Sequence, residues 1–142
     1  MRVLAMVLTL GSLFSLTGCG RIKDVLYGPV EEVKALMEEK AEVISQISKK
    51  IEENPNEAGV DNARKVFEAR KDVLKAKRKA IDEQPQGMNS DWLSIWFESN
   101  ARDRKMFEAI RSKLAVACWK VECEPAHSKL SQLEKDFEEA VK

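Results

Sequence analysis

The stretch PVEEVKALMEEKAEVISQISKKIEE, Pro29 to Glu53, decides the fold. Its apolar residues Val30, Val33, Leu36, Met37, Ala41, Ile44, Ile47 and Ile51 recur at steps of three and four, with charges between them. That spacing puts one apolar face along a helix. Pro29 suits the first turn, having no amide hydrogen to leave unpaired.

The same period continues down the chain. Asn54-Pro55-Asn56-Glu57 reads as the next helix start, with Asn54 as cap, Pro55 at the first position and Glu57 reaching back from the third. A stripe through Gly59, Ala63, Val66, Phe67, Val73, Leu74, Ala80 and Ile81 follows and stops before Gln84-Pro85-Gln86-Gly87. Gly59 either admits a close backbone or marks a later helix start at Asp61. The Lys- and Arg-rich face of this helix, interleaved with Glu68, Asp72 and Asp82, reads as a solvated surface, with anionic lipid as the functional alternative. A third helix is expected after a Ser90 cap, with an apolar opening at Trp92, Leu93, Ile95, Trp96 and Phe97. Its stripe weakens between Glu98 and Lys105, so a kink or restart near Asn100 is expected before it recovers at Met106, Phe107, Ile110 and Leu114. A fourth helix is expected from Pro125. Four amphipathic helices with short connections make an all-α, up-down-up-down four-helix bundle.

Composition narrows the function. With 24 basic and 24 acidic side chains in 142 residues, the chain lacks the basic excess of a nucleic-acid binder. No Gly-rich phosphate loop, nucleophile elbow or paired-carboxylate setting occurs, so neither an enzyme, a cofactor nor a small-molecule substrate is indicated. Lys65-Val66-Phe67-Glu68-Ala69 and Leu74 match Lys105-Met106-Phe107-Glu108-Ala109 and Leu114 at an offset of forty. The match reads either as a helical repeat or as convergence of charged amphipathic strings.

The N-terminus carries an address. Met1-Arg2 is a positive end, Val3 to Leu16 an apolar run broken by Thr9, Gly11, Ser12 and Ser15, and small residues follow. The run is too short and too interrupted for a membrane span, which needs about 20 apolar residues. Leu16-Thr17-Gly18-Cys19 resembles the lipobox of bacterial lipoproteins. The resemblance implies that residues 1–18 are a cleaved signal and that Cys19 is the mature N-terminus. It also implies that the Cys19 thiol carries a diacylglycerol and its amino group a fatty acyl chain such as palmitate. Gly20, where an Asp would retain the protein at the inner membrane, points by the same resemblance to the periplasmic face of the outer membrane. Residues 19–28 then form a tether, of which Gly20 to Gly28 extends at most about 30 Å, and 29–142 the bundle domain. A plain signal peptide with a chance cysteine is the alternative.

Cys118 and Cys123 remain as a pair in an oxidising compartment. Five residues apart in a continuous helix they would rise about 7.5 Å and point to different sides, beyond what a disulfide tolerates. A structural bridge therefore requires the third helix to end between them, as Pro125 permits. The alternatives are a redox dithiol, disfavoured because the first cysteine lies near a helix C-terminus, and a metal site with His127, which lacks a fourth ligand.

These features together predict a membrane-anchored adaptor that binds another envelope protein through a groove at Trp92, Leu93, Ile95, Trp96 and Phe97. Core packing is the competing account of each of those residues. In size, anchor and helical content the chain is similar to the pilotins, which escort outer-membrane secretins, though no motif beyond the lipobox is shared. A structural or stress-related lipoprotein that self-associates, and an immunity or exclusion lipoprotein, are the other classes.

Overall fold

The computed structural model describes residues 28–85, 91–119 and 121–142. Four helices make up the domain: α1 (Val30–Glu53), α2 (Glu57–Asp82), α3 (Asp91–Ala117) and α4 (Glu124–Val141), with a 3-10 turn at Val121–Cys123 before α4. The described residues are all-α, as the period predicts. Cys19, the signal, most of the tether and the Ser90 cap lie outside the described residues.

Ion pairs between helices reveal the packing. Lys40 meets Asp103 and Glu52 meets Lys113, so α1 and α3 run parallel. Asp61 meets Lys129 and Arg64 meets Asp136, so α2 and α4 run parallel as well. Arg111–Glu134 and Arg104–Glu138 make α3 and α4 antiparallel, and the turn after Glu53 does the same for α1 and α2. Direction thus alternates along the sequence as expected. Around the square, however, α1 packs on α2 and α3, and α4 on α2 and α3, leaving α2 diagonal to α3. One end of the bundle holds the start of α1, the end of α2, the start of α3 and the end of α4; we call it the entry end. The far end holds the 54–56 turn and the α3–α4 corner.

The core is built from the stripes read in the sequence. Val33, Leu36, Ile44, Ile47 and Ile51 of α1, Ala63, Phe67, Leu74 and Ile81 of α2, Phe107, Ile110 and Leu114 of α3, and Leu130, Leu133 and Phe137 of α4 are buried. Phe137 lies between Phe67 and Phe107, with ring centroids at 6.0 and 5.4 Å. The two phenylalanines of the offset-of-forty strings thus meet the same ring, and Leu74 and Leu114 are both fully buried.

Two boundaries differ from the sequence reading. The cap of α2 is Asn56, whose Oδ1 accepts from the Gly59 amide at 3.1 Å, and Asn54 instead ends α1. Gly59 is the close approach: a Cβ there would sit 1.7 Å from the Asn54 carbonyl oxygen. The restart at Asn100 does not occur, because α3 is continuous through it. The polar interval is held by partners on α1 rather than by a new cap.

Candidate functional site

Of the five residues proposed as a partner groove, Trp92 is buried in the core and Ile95 packs against it. Leu93 is at the margin of exposure, and only Phe97, 67% exposed, stands well clear of the surface. Trp96 is half-buried between two cations, with Lys40 Nζ 5.2 Å and the Arg78 guanidinium 4.7 Å from its ring centroid. Five apolar residues in two turns therefore divide among core, cation contact and solvent.

A polar cluster that the periodicity skipped lies behind Trp96. Lys40 occupies a core position of α1 between Leu36 and Val43 and is 1% exposed. Its ammonium donates to Asn100 Oδ1 at 2.8 Å and Ser99 Oγ at 3.2 Å, and lies 2.5 Å from Asp103 Oδ2. Burial pushes the Lys40 ammonium below the ordinary lysine range, against the opposing pull of Asp103. Ser99 and Asp103 are buried too, at the core positions where the α3 stripe fails. The signal was present as two polar interruptions, one on each of two facing helices. Single-helix periodicity discards such positions instead of pairing them.

The helices differ in length, and this opens a cavity beside the cluster. Glu138 is level with Arg104, so α4 stops at Val141 while α3 runs on toward Asp91 and α2 toward Asp82. The space left has a volume of about 300 Å³, with Arg78, Trp96, Asn100, Asp103, Phe107 and Phe137 among its walls. Asp103 Oδ1 is buried without a hydrogen bond, 3.8 Å from Arg102 Nη2, and Arg78 Nε is buried without an acceptor. Arg78 Nη2 is engaged by Asp82 at 2.7 Å.

At the far end, Cys118 and Cys123 are bridged, with Cα atoms 5.6 Å apart. α3 ends at Ala117 and the 3-10 turn intervenes, which supplies the break in the helix that the spacing demanded. His127 Nε2 lies 3.0 Å from the Cys118 carbonyl oxygen, and with both sulfurs joined the three side chains do not form a metal site. Among the described residues no cluster of three or more His, Cys, Asp or Glu could hold a metal ion, and no helix is long and apolar enough to cross a membrane. The corner carries two exposed apolar residues that the sequence reading did not single out. Val116 is 82% exposed and Trp119 79%. Beside them, a cleft of about 340 Å³ between α1 and α3 is lined by Ile51, Pro55, Ile110, Leu114 and Ala117, with Glu52 and Lys113 at its mouth.

No protein-family model, curated protein or solved structure matches this chain.

Proposed function

We propose that this chain is a lipid-anchored envelope protein whose bundle presents an apolar corner to another envelope protein. The anchor is assigned to Cys19 by the lipobox-like Leu16-Thr17-Gly18-Cys19. The observation that carries the adaptor reading is Trp119, 79% exposed beside a disulfide, at the end of the bundle opposite the one where the chain enters α1. Tryptophan is prominent among the residues that dominate interface energies. The partner surface proposed here is Val116 and Trp119, 82% and 79% exposed, with the Trp92–Phe97 segment as the alternative. A photo-crosslinking residue placed at position 119 should give a discrete adduct in cells, whereas one at exposed Lys135 should not. An adduct from position 97 and none from 119 would overturn the assignment of the surface.

Self-association is the second reading, favoured by the apolar cleft on the same corner as Trp119. A two-fold exchange would seat each Trp119 in the other copy's cleft. A mass that doubles with concentration and returns to one chain in Trp119→Ala supports it; a constant monomer mass sinks it.

A further inference from the structure

We propose that Leu93 and Phe97 insert into the bilayer that carries the Cys19 lipid, and so dock the entry end of the bundle on the membrane surface. The inference rests on the anchor proposed above and is independent of the Trp119 corner.

Leu93, Phe97, Asn100, Arg104 and Arg111 follow one another at steps of four, three, four and seven, so they share one flank of α3. Arg104 and Arg111 show that this flank faces α4, where they meet Glu138 and Glu134. α4 ends at Val141, within a turn of Glu138, whereas Phe97 lies two turns before Arg104. The flank is therefore uncovered at Leu93 and Phe97. Phe97 is 67% exposed and Leu93 36%, while the other described phenylalanines, Phe67, Phe107 and Phe137, are buried.

The tether names the occupant. The chain enters α1 at this same end, and Gly20 to Gly28 spans at most about 30 Å, so an acylated Cys19 keeps the flank within reach of lipid. Tethering converts the second contact into an intramolecular one, and a patch too small to hold a free protein on a bilayer then suffices. The charges around the flank suit a headgroup layer. Arg104 sits by Glu138, Arg78 by Asp82 and Lys79 by Glu83, and Lys142, which pairs with no acid among the described residues, adds a cation for headgroup phosphate. The acidic first turn of α1, Glu31 and Glu32, belongs to the helix diagonal to α4 and so lies away from this flank. Charged groups thus stay at headgroup level while the two apolar side chains enter by about 5–10 Å, as those of an interfacial helix do.

The test uses the full processed chain reconstituted in phosphatidylcholine vesicles whose acyl chains are brominated near the headgroup, where bromine quenches the indoles that touch it. The indole introduced by Phe97→Trp, read as the difference from the parent spectrum, should be quenched several-fold more than that of Val73→Trp, an exposed apolar position on α2. Native Trp119 should be quenched little. Leu93→Glu combined with Phe97→Trp should lift the quenching in a protein that stays helical. Flotation with the vesicles reports the anchor separately. A chain that floats but leaves position 97 unquenched, or quenched no more than positions 73 and 119, overturns the contact and leaves the anchor standing. Quenching that survives Leu93→Glu, or a protein adduct from position 97 in cells without quenching by lipid, overturns it too. A chain that does not float overturns anchor and contact together.

Discussion

Lys40 is the residue on which the interior turns. An ammonium with its charge in the core is tolerated because Ser99, Asn100 and Asp103 take its hydrogens, and the pair is far harder to break than to replace. Lys40→Met should therefore destabilise the bundle by about 3–5 kcal/mol, by stranding the Asp103 charge. The double change Lys40→Met with Asp103→Leu should recover most of that loss in urea unfolding, and a double variant no better than the single one would show that the pair is not the cause. Surface pairs behave differently. Arg64 beside Asp136, at 2.7 Å, holds its carboxyl below the ordinary value of 3.8, with help from Gln132. A carboxyl whose folded value is depressed binds fewer protons in the native state. Its stabilisation is present above pH 3.8 and is lost as the pH falls through the lower folded value. Asp136→Asn should flatten the fall of stability below about pH 4 without steepening it elsewhere, measured as urea midpoints across acid pH. The sequence made neither pair visible, because Lys40 is 59 residues from Ser99 and periodicity along one helix is silent about partners on another.

At the scale of elements, the helices were legible and their joints less so. The stripes of α1, α2 and α4 gave their extents to within a residue or two, since a buried face must recur with the helical period. The turn between α1 and α2 was misread by two residues because Asn54-Pro55-Asn56 contains two good caps. The structure caps α2 with Asn56, and within the same turn Gly59 comes against the Asn54 carbonyl. Likewise Ser99 and Asp103 looked like a weakened α3, and became intelligible only with Lys40 opposite. Gly59 yields a prediction with an unusual sign. Replacing a helix-interior Gly by Ala ordinarily gains about 1 kcal/mol of propensity, but a Cβ placed 1.7 Å from a backbone oxygen forces the turn to move. Gly59→Ala should therefore destabilise by about 1–3 kcal/mol. Its opposite control is Ala58→Gly, at the exposed neighbouring position, which should cost about 1 kcal/mol or less. A more stable Gly59→Ala protein in denaturant would mean that the turn yields freely.

At the scale of the whole molecule, the bundle has two unlike ends, and its three tryptophans report on them separately. Trp92 is in the core and Trp96 lies beside the cavity, both in the entry half, whereas Trp119 stands in solvent at the far corner. Loss of Trp92 should remove a buried anchor, costing roughly 3–5 kcal/mol in Trp92→Ala. Trp119→Ala should leave the urea midpoint nearly unchanged and abolish the red-shifted, iodide-quenchable part of the emission, since exposed side chains contribute little to stability. The corner that holds Trp119 is closed by Cys118 and Cys123 and by the His127 contact to the Cys118 carbonyl. A five-residue separation closes a short loop, so reduction should lower stability by only about 2 kcal/mol in the chain-entropy model. The helical core, in which Cys118 is one buried member among many, should keep its circular dichroism signal at low temperature. What reduction should change is the placement of Trp119, because the segment between α3 and α4 then loses its covalent tie. If the corner is the partner surface, reduction, or Cys118→Ser with Cys123→Ser, should diminish the crosslink from position 119 in a protein that remains folded. A crosslink indifferent to the bridge would make the disulfide a stabiliser of the fold alone, and a reduced protein that unfolds at ordinary temperature would place far more of the stability in this corner than its short loop can account for.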